Sequence, residues 1–143
     1  MDAETTERPA SKVSHIGVPA VFKLELACKH LNAAYGDHFG CYIVGSALER
    51  PDWRDVDVVL IMDDAEFAKE FPRVRDVATG VFEFDTKWLL NSVSISAWLS
   101  EQTGLPVDFK IQPQTWANKR HGRKRRHAVG LTFSAPTERE PSR

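Results

Sequence analysis

The apolar residues Val21, Leu24, Cys28, Leu31 and Tyr35, with Ala27 and Ala34 beside them, recur at three- and four-residue steps, the spacing that lines one face of a helix. Pro19 suits the first turn of that helix and Gly36 its end, which predicts a helix from Pro19 to Tyr35. The period then changes. Cys41-Tyr42-Ile43-Val44 and Val56 to Ile61 are short apolar runs, and Val107, Phe109 and Ile111 alternate with Asp108 and Lys110 until Pro113, so these three stretches are predicted as strands. Asp63-Asp64 can cap a helix through Phe67 and Phe71 that Pro72 closes. Val81-Phe82-Glu83-Phe84 alternates as another short strand would. Asp85 or Thr86 then caps a long helix from about Lys87 to Thr103, ended by Gly104. Its Trp88, Leu89, Val93, Ala97, Trp98 and Leu99 form a broad apolar stripe that is assigned to the core. Val129 to Phe133 adds a last short strand or a docked tail. This order of elements predicts a small α/β (α+β) domain, a mixed sheet with helices packed on it.

The polar residues inside these apolar runs carry the candidate chemistry. Residues two apart on a strand share a face, so Asp55 and Asp57 are expected side by side, and Asp108 joins them if its strand pairs nearby. Neighbouring like charges repel. Three converging carboxylates make physical sense when a cation sits among their oxygens, and hard oxygen ligands suit Mg²⁺ held together with substrate phosphates. Gly45-Ser46, directly after the first strand, allows a tight bend in which backbone approaches a phosphate and the Ser46 hydroxyl donates to it. The same pair also reads as an ordinary turn capping a short helix at Ala47 to Glu49. Arg50 and Arg54 flank the connecting loop, where either pairs with a triphosphate oxygen or stays a surface arginine.

Gly45-Ser46, eight intervening residues, Asp55-Val56-Asp57 and the later Asp108 together resemble the GS…DxD signature and third acid of the DNA polymerase β-type nucleotidyltransferase superfamily. The resemblance covers roughly residues 20 to 111, and the length is similar to that of the minimal nucleotidyltransferases. It implies transfer of a nucleotidyl group from an NTP to a hydroxyl. Asp55, Asp57 and Asp108 would be the catalytic and metal-binding acids, holding Mg²⁺ or Mn²⁺, with Asp108 holding a second metal or activating the acceptor. Gly45 and Ser46 would hold phosphates, with Arg54 and Lys110 as further nucleotide-binding candidates. The helical acceptor-gripping domain of larger members is missing, which makes a partner protein or an oligomer an expectation. The implied layout is a disordered segment 1–15, a nucleotidyltransferase-like domain 16–133 and a disordered tail 134–143.

Composition narrows the setting. A chain of 143 residues with 42% hydrophobic and 27% charged residues fits one globular domain. Neither a membrane-spanning run nor a secretory signal is legible, so a cytoplasmic address is expected, with no membrane association and with Cys28 and Cys41 as buried free thiols. No His/Cys spacing suits zinc. Charge is unevenly spread: residues 1–118 hold 11 Lys and Arg against 18 Asp and Glu, whereas 119–127 (KRHGRKRRH) holds six Lys and Arg and no acid. Lys119, Arg120, Arg123, Lys124, Arg125 and Arg126 are therefore candidates for contacting an RNA acceptor, set against a solvated basic stretch that merely balances an acidic domain. A protein hydroxyl, as in adenylylating antitoxins, and a small molecule are the other acceptors considered. A non-catalytic, nucleic-acid-binding scaffold is the alternative from another class.

Overall fold

The computed structural model describes residues 14–36 and 39–130. The expectations for residues 1–13 and 131–143 lie outside the described residues. Helix α1 spans Val18–Tyr35, with a proline in its first turn as the sequence predicts. Strand β1 (Gly40–Val44) leads through Gly45 into the four-residue α2 (Ser46–Glu49), and β2 (Val56–Met62) follows. Helix α3 (Asp64–Glu70) is capped by the Asp63 side chain, which accepts from the Ala65 N–H. Helix α4 (Thr86–Thr103) is capped by Asp85, which accepts from the Trp88 N–H, and it ends at Gly104 in the left-handed conformation. Strand β3 (Val107–Pro113), helix α5 (Gln114–His121) and strand β4 (His127–Val129) complete the described chain.

Among the described residues the strands form one mixed sheet in the order β3-β2-β1-β4. β1 is antiparallel to β2 and to β4, while β2 and β3 run parallel. Parallel pairing needs a long crossover, and the segment from α3 through α4 supplies it. One sheet face, with Ile43, Val58, Leu60, Phe109 and Ile111, is buried in the main core beneath Leu24, Cys28, Leu31, Trp88 and Leu99 of α1 and α4. The opposite face has its own small cluster of Val44, Val59 and Ile61 with Ala117 of α5. Cys28 and Cys41 are free and buried, as expected. Among the described residues no helix is long and apolar enough to cross a membrane.

Two expectations are corrected. Val81 to Phe84 is not a strand but part of a 3₁₀ helix, Gly80–Phe84. A half-buried strand would put Phe82 and Phe84 on one covered face. Instead Phe82 alone is buried, its ring set against Phe67, Trp88 and Trp116 at 5.2–5.4 Å, while Phe84 is 83% exposed. The apolar stripe of α4 is the second correction. Trp88 and Leu99 are core, but Leu89 and Val93 are exposed, and Ser92 and Thr103 take inward positions.

The serines of α4 face inward for a reason. The Ser96 hydroxyl accepts from the Phe109 N–H at 2.8 Å, the Ser100 hydroxyl accepts from the Val107 N–H at 3.0 Å, and Trp88 Nε1 donates to the Ile111 carbonyl at 2.8 Å. A four-residue step on a helix rises about 6 Å and a two-residue step on a strand nearly 7 Å, so Ser96 and Ser100 keep step with Phe109 and Val107, while Trp88, two turns earlier on the helix, reaches Ile111 with its longer indole. Toward the β1–β4 edge, Asn32 of α1 ties two strands together. Its amide donates to the Val129 and Gly130 carbonyls at 3.1 and 2.9 Å and accepts from the Cys41 N–H at 2.9 Å.

Candidate functional site

The register of the sheet assembles the site. Val44 of β1 lies opposite Asp57 of β2, and Asp57 lies opposite Asp108 of β3, so three neighbouring strands contribute one row. Residues facing each other across a ladder share a sheet face. Asp57 and Asp108 are thus adjacent on the face that carries α5, at the end of the strands where β1 turns into α2. Lys110, two residues further along β3, shares that face, and its Nζ lies 3.2 Å from Asp108 Oδ2.

Gly45 closes one side of this row. Its φ of 81° and ψ of −153° form a conformation open to glycine, and a Cβ placed there would stand 2.6 Å from Asp57 Oδ2. The turn therefore presses bare backbone against the Asp57 carboxylate. A short helix does follow the pair, but it begins at Ser46 with Gly45 as its N-terminal flank, and no side chain caps it.

Asp57 is half-buried, and its carboxyl is held above the ordinary value, first by burial and then by the Asp108 charge; Lys110 opposes this and Asp55 adds to it. Asp55 is exposed and stands just before β2, where the alternation argument no longer applies, although its charge reaches Asp57. Arg54 is likewise exposed in the approach to β2.

A cleft of about 250 Å³ opens over the acids, with Gly45, Asp57, Asp108 and Lys110 among the residues lining it. Its other lining side chains include Gln112, Trp116 and Glu83, and three from the basic segment, Arg120, His121 and Lys124. Among the described residues Asp55, Ser46 and Arg54 do not line it. Strand β4 pairs with β1 and so brings 119–127 back over the sheet. The segment is pinned there: Arg125 donates to the Leu48 carbonyl at 2.8 Å, and Arg126 donates to Asn118 Oδ1 at 3.3 Å while lying over the Tyr42 ring. Lys119 and Arg123 are exposed.

Sequence reasoning missed Gln112, Trp116, Glu83 and the part His121 plays. Gln112 was within reach, because it continues the alternation of Asp108 and Lys110. The other three depend on tertiary contacts alone. A larger hollow of about 440 Å³ lies between Phe71, Phe84 and Leu90. Two of its charged residues are engaged in the fold, Asp85 capping α4 and Lys87 donating to the Glu70 carbonyl, and the third, Arg73, is exposed. The smaller cleft is the better place for chemistry.

Among the described residues no three His, Cys, Asp or Glu side chains are arranged to hold a metal ion by themselves. The donor chemistry nonetheless suits a hard cation in part. Two carboxylates stand side by side, the Asp57 carboxyl raised first by burial and then by the Asp108 charge, and substrate phosphates commonly complete such a coordination sphere. Comparison with known proteins adds no name to this arrangement: no family model matches the chain, nor does any curated protein or solved structure.

Proposed function

We propose that this protein is a metal-dependent nucleotidyltransferase that moves a nucleoside monophosphate from an NTP to a hydroxyl acceptor. One observation carries the reading: Asp57 and Asp108 are paired in register on parallel strands, beside a glycine turn that presses backbone against the first of them. The GS…DxD order and the later acid lead to the same reading independently of that geometry.

Phosphoryl transfer asks the protein to align a nucleophile and neutralise charge rather than to make covalent bonds. Mg²⁺ or Mn²⁺, held by Asp57 and Asp108 with the Asp55 charge nearby, would supply that neutralisation on the triphosphate. Gly45 leaves room for phosphate oxygens to approach the backbone. The acceptor oxygen attacks the α-phosphorus, the bond to the bridging oxygen breaks, and pyrophosphate leaves. Asp108, the more exposed acid of the pair, either shares in holding the ion or takes the acceptor's proton, which otherwise leaves to solvent. RNA ends, protein hydroxyls and a second copy of the chain as partner all belong to this proposal.

The test is transfer of label from each α-labelled NTP with Mg²⁺, offered RNA and protein acceptors in turn, by wild type and by Asp57→Asn and Asp108→Asn. The expected outcome is a loss of at least about a hundredfold in both variants, with thermal melts showing that each still folds. Wild-type rates in both would remove these acids from the chemistry.

A further inference from the structure

The basic segment of residues 119–127 divides into two kinds of residue. Arg125 and Arg126 hold the segment to α2, Asn118 and Tyr42, whereas Arg120 and Lys124 line the cleft that contains Asp57 and Asp108. Arg120 is supported from behind. Its guanidinium lies 5.4 Å from the centre of the Trp116 ring, and that ring packs edge-on against the buried Phe82. The backbone at Lys124 is set by a turn in which its N–H donates to the His121 carbonyl at 2.9 Å. Between them, His121 Nε2 is enclosed with no hydrogen-bond partner among the described residues.

A polyanion entering this cleft meets two carboxylates on the floor, which by themselves would repel it. Cations on the facing wall change the balance. We propose that the wall formed by Arg120, His121 and Lys124, together with Lys110 on the sheet, is a polyphosphate-binding site serving the nucleotide, not a landing strip for RNA. The proposal rests on the nucleotidyltransferase reading and adds the residues that take the phosphates leaving with the pyrophosphate. Arg120 presents a planar fork of donors and Lys124 a mobile point charge, a pairing suited to successive phosphate groups.

His121 serves as an internal reporter. Burial holds its imidazole below the ordinary value, and the neighbouring charges of Arg120, Arg126 and Lys124 push the same way. Across the cleft the other titratable side chains are Asp57, Asp108, Lys110 and Glu83. Phosphate oxygens placed between Arg120 and Lys124 would offset the three cations, so the imidazolium would gain stability.

Inorganic triphosphate is the probe, titrated with Mg²⁺ into the full chain by calorimetry while the His121 ring is followed by NMR across pH. Arg120→Ala with Lys124→Ala should weaken binding at least tenfold, whereas Lys119→Ala with Arg123→Ala, outside the cleft lining, should change it less than twofold. Arg120→Lys with Lys124→Arg, which keeps both charges, should restore most of the affinity. The His121 titration midpoint should rise on saturation. Equal weakening by the two alanine pairs, an unmoved His121, or lost RNA binding with intact triphosphate binding would each overturn the proposal. A protein that transfers nucleotides, yet whose Arg120/Lys124 variant binds triphosphate like wild type, loses this inference alone. One that binds triphosphate at the wall but never transfers loses the catalytic reading alone.

Discussion

Replacing Gly45 by alanine probes the closest approach in the site. The backbone at Gly45 has φ 81° and ψ −153°, a region that costs a residue with a side chain about 1–3 kcal/mol. The new Cβ would also stand 2.6 Å from Asp57 Oδ2, so the carboxylate must swing away or β1 must separate from β2. That steric share is on the order of 1 kcal/mol, because a half-buried side chain can yield. The expected total is about 3 kcal/mol, a fall in Tm of roughly 12 °C for a domain of this size. Gly104 supplies the control. It too has a positive φ, 76°, but a Cβ there has nothing within 4 Å, and Gly104→Ala should cost only about 1 kcal/mol. Combining Gly45→Ala with Asp57→Ala removes the atoms in conflict, and the cost of the alanine should then fall by about 1 kcal/mol, read as the coupling energy of a double-mutant cycle. Thermal and urea denaturation followed by circular dichroism provide the measurement. If Gly45→Ala costs no more than Gly104→Ala, or the same with and without the Asp57 carboxylate, the close-approach argument is wrong.

Three other outcomes are expected. Asp57 has its carboxyl raised in the folded state, so its contribution to stability is complete below the unfolded value near pH 4 and is lost as pH rises through the folded value. Asp57→Asn should therefore raise Tm at pH 7 in EDTA and leave it unchanged near pH 3; a lower Tm at pH 7 contradicts the repulsion described between the acids. Asn32→Ala removes three hydrogen bonds joining α1 to β1 and to the end of β4, for a loss of about 2–3 kcal/mol and faster amide exchange at Cys41; unchanged exchange there would show the amide is dispensable. Ser96→Ala and Ser100→Ala each leave a β3 N–H without its hydroxyl, at about 1–2 kcal/mol apiece, visible as faster exchange at Phe109 and Val107.

The acids were legible because strand alternation is a short-range rule. Asp108 alternates with Val107, Phe109 and Ile111, and Asp57 falls between Val56 and Val58, a local pattern that put Val58 and Phe109 in the core and both carboxylates on the other face. Their convergence depended on which strands pair, and the motif order supplied what local pattern could not. The 3₁₀ helix at Gly80–Phe84 escaped because four alternating residues fit a strand as well as a single tight turn anchored by one phenylalanine. Helix α4 misled through composition. Its inward serines look polar until the backbone groups of β3 that they satisfy are known, and those groups are remote in sequence. The basic segment was visible as charge, but its place over the acids comes from the pairing of β4 with β1, which no local signal announces.

The side-chain row along α4 has a consequence for what can dock on this protein. β3 is the outermost strand of the sheet, and an outermost strand with unpaired backbone groups invites another chain to add itself alongside. Here the hydroxyls of Ser96 and Ser100 and the indole of Trp88 already occupy those groups at Val107, Phe109 and Ile111. The strand bearing Asp108 is thereby closed to recruitment by strand addition. At the far side of the sheet β4 offers three residues among those described. A polypeptide is thus denied an easy route to the carboxylates by lengthening the sheet beside Asp108, and the approach left to any visitor is across the cleft, past Arg120 and Lys124.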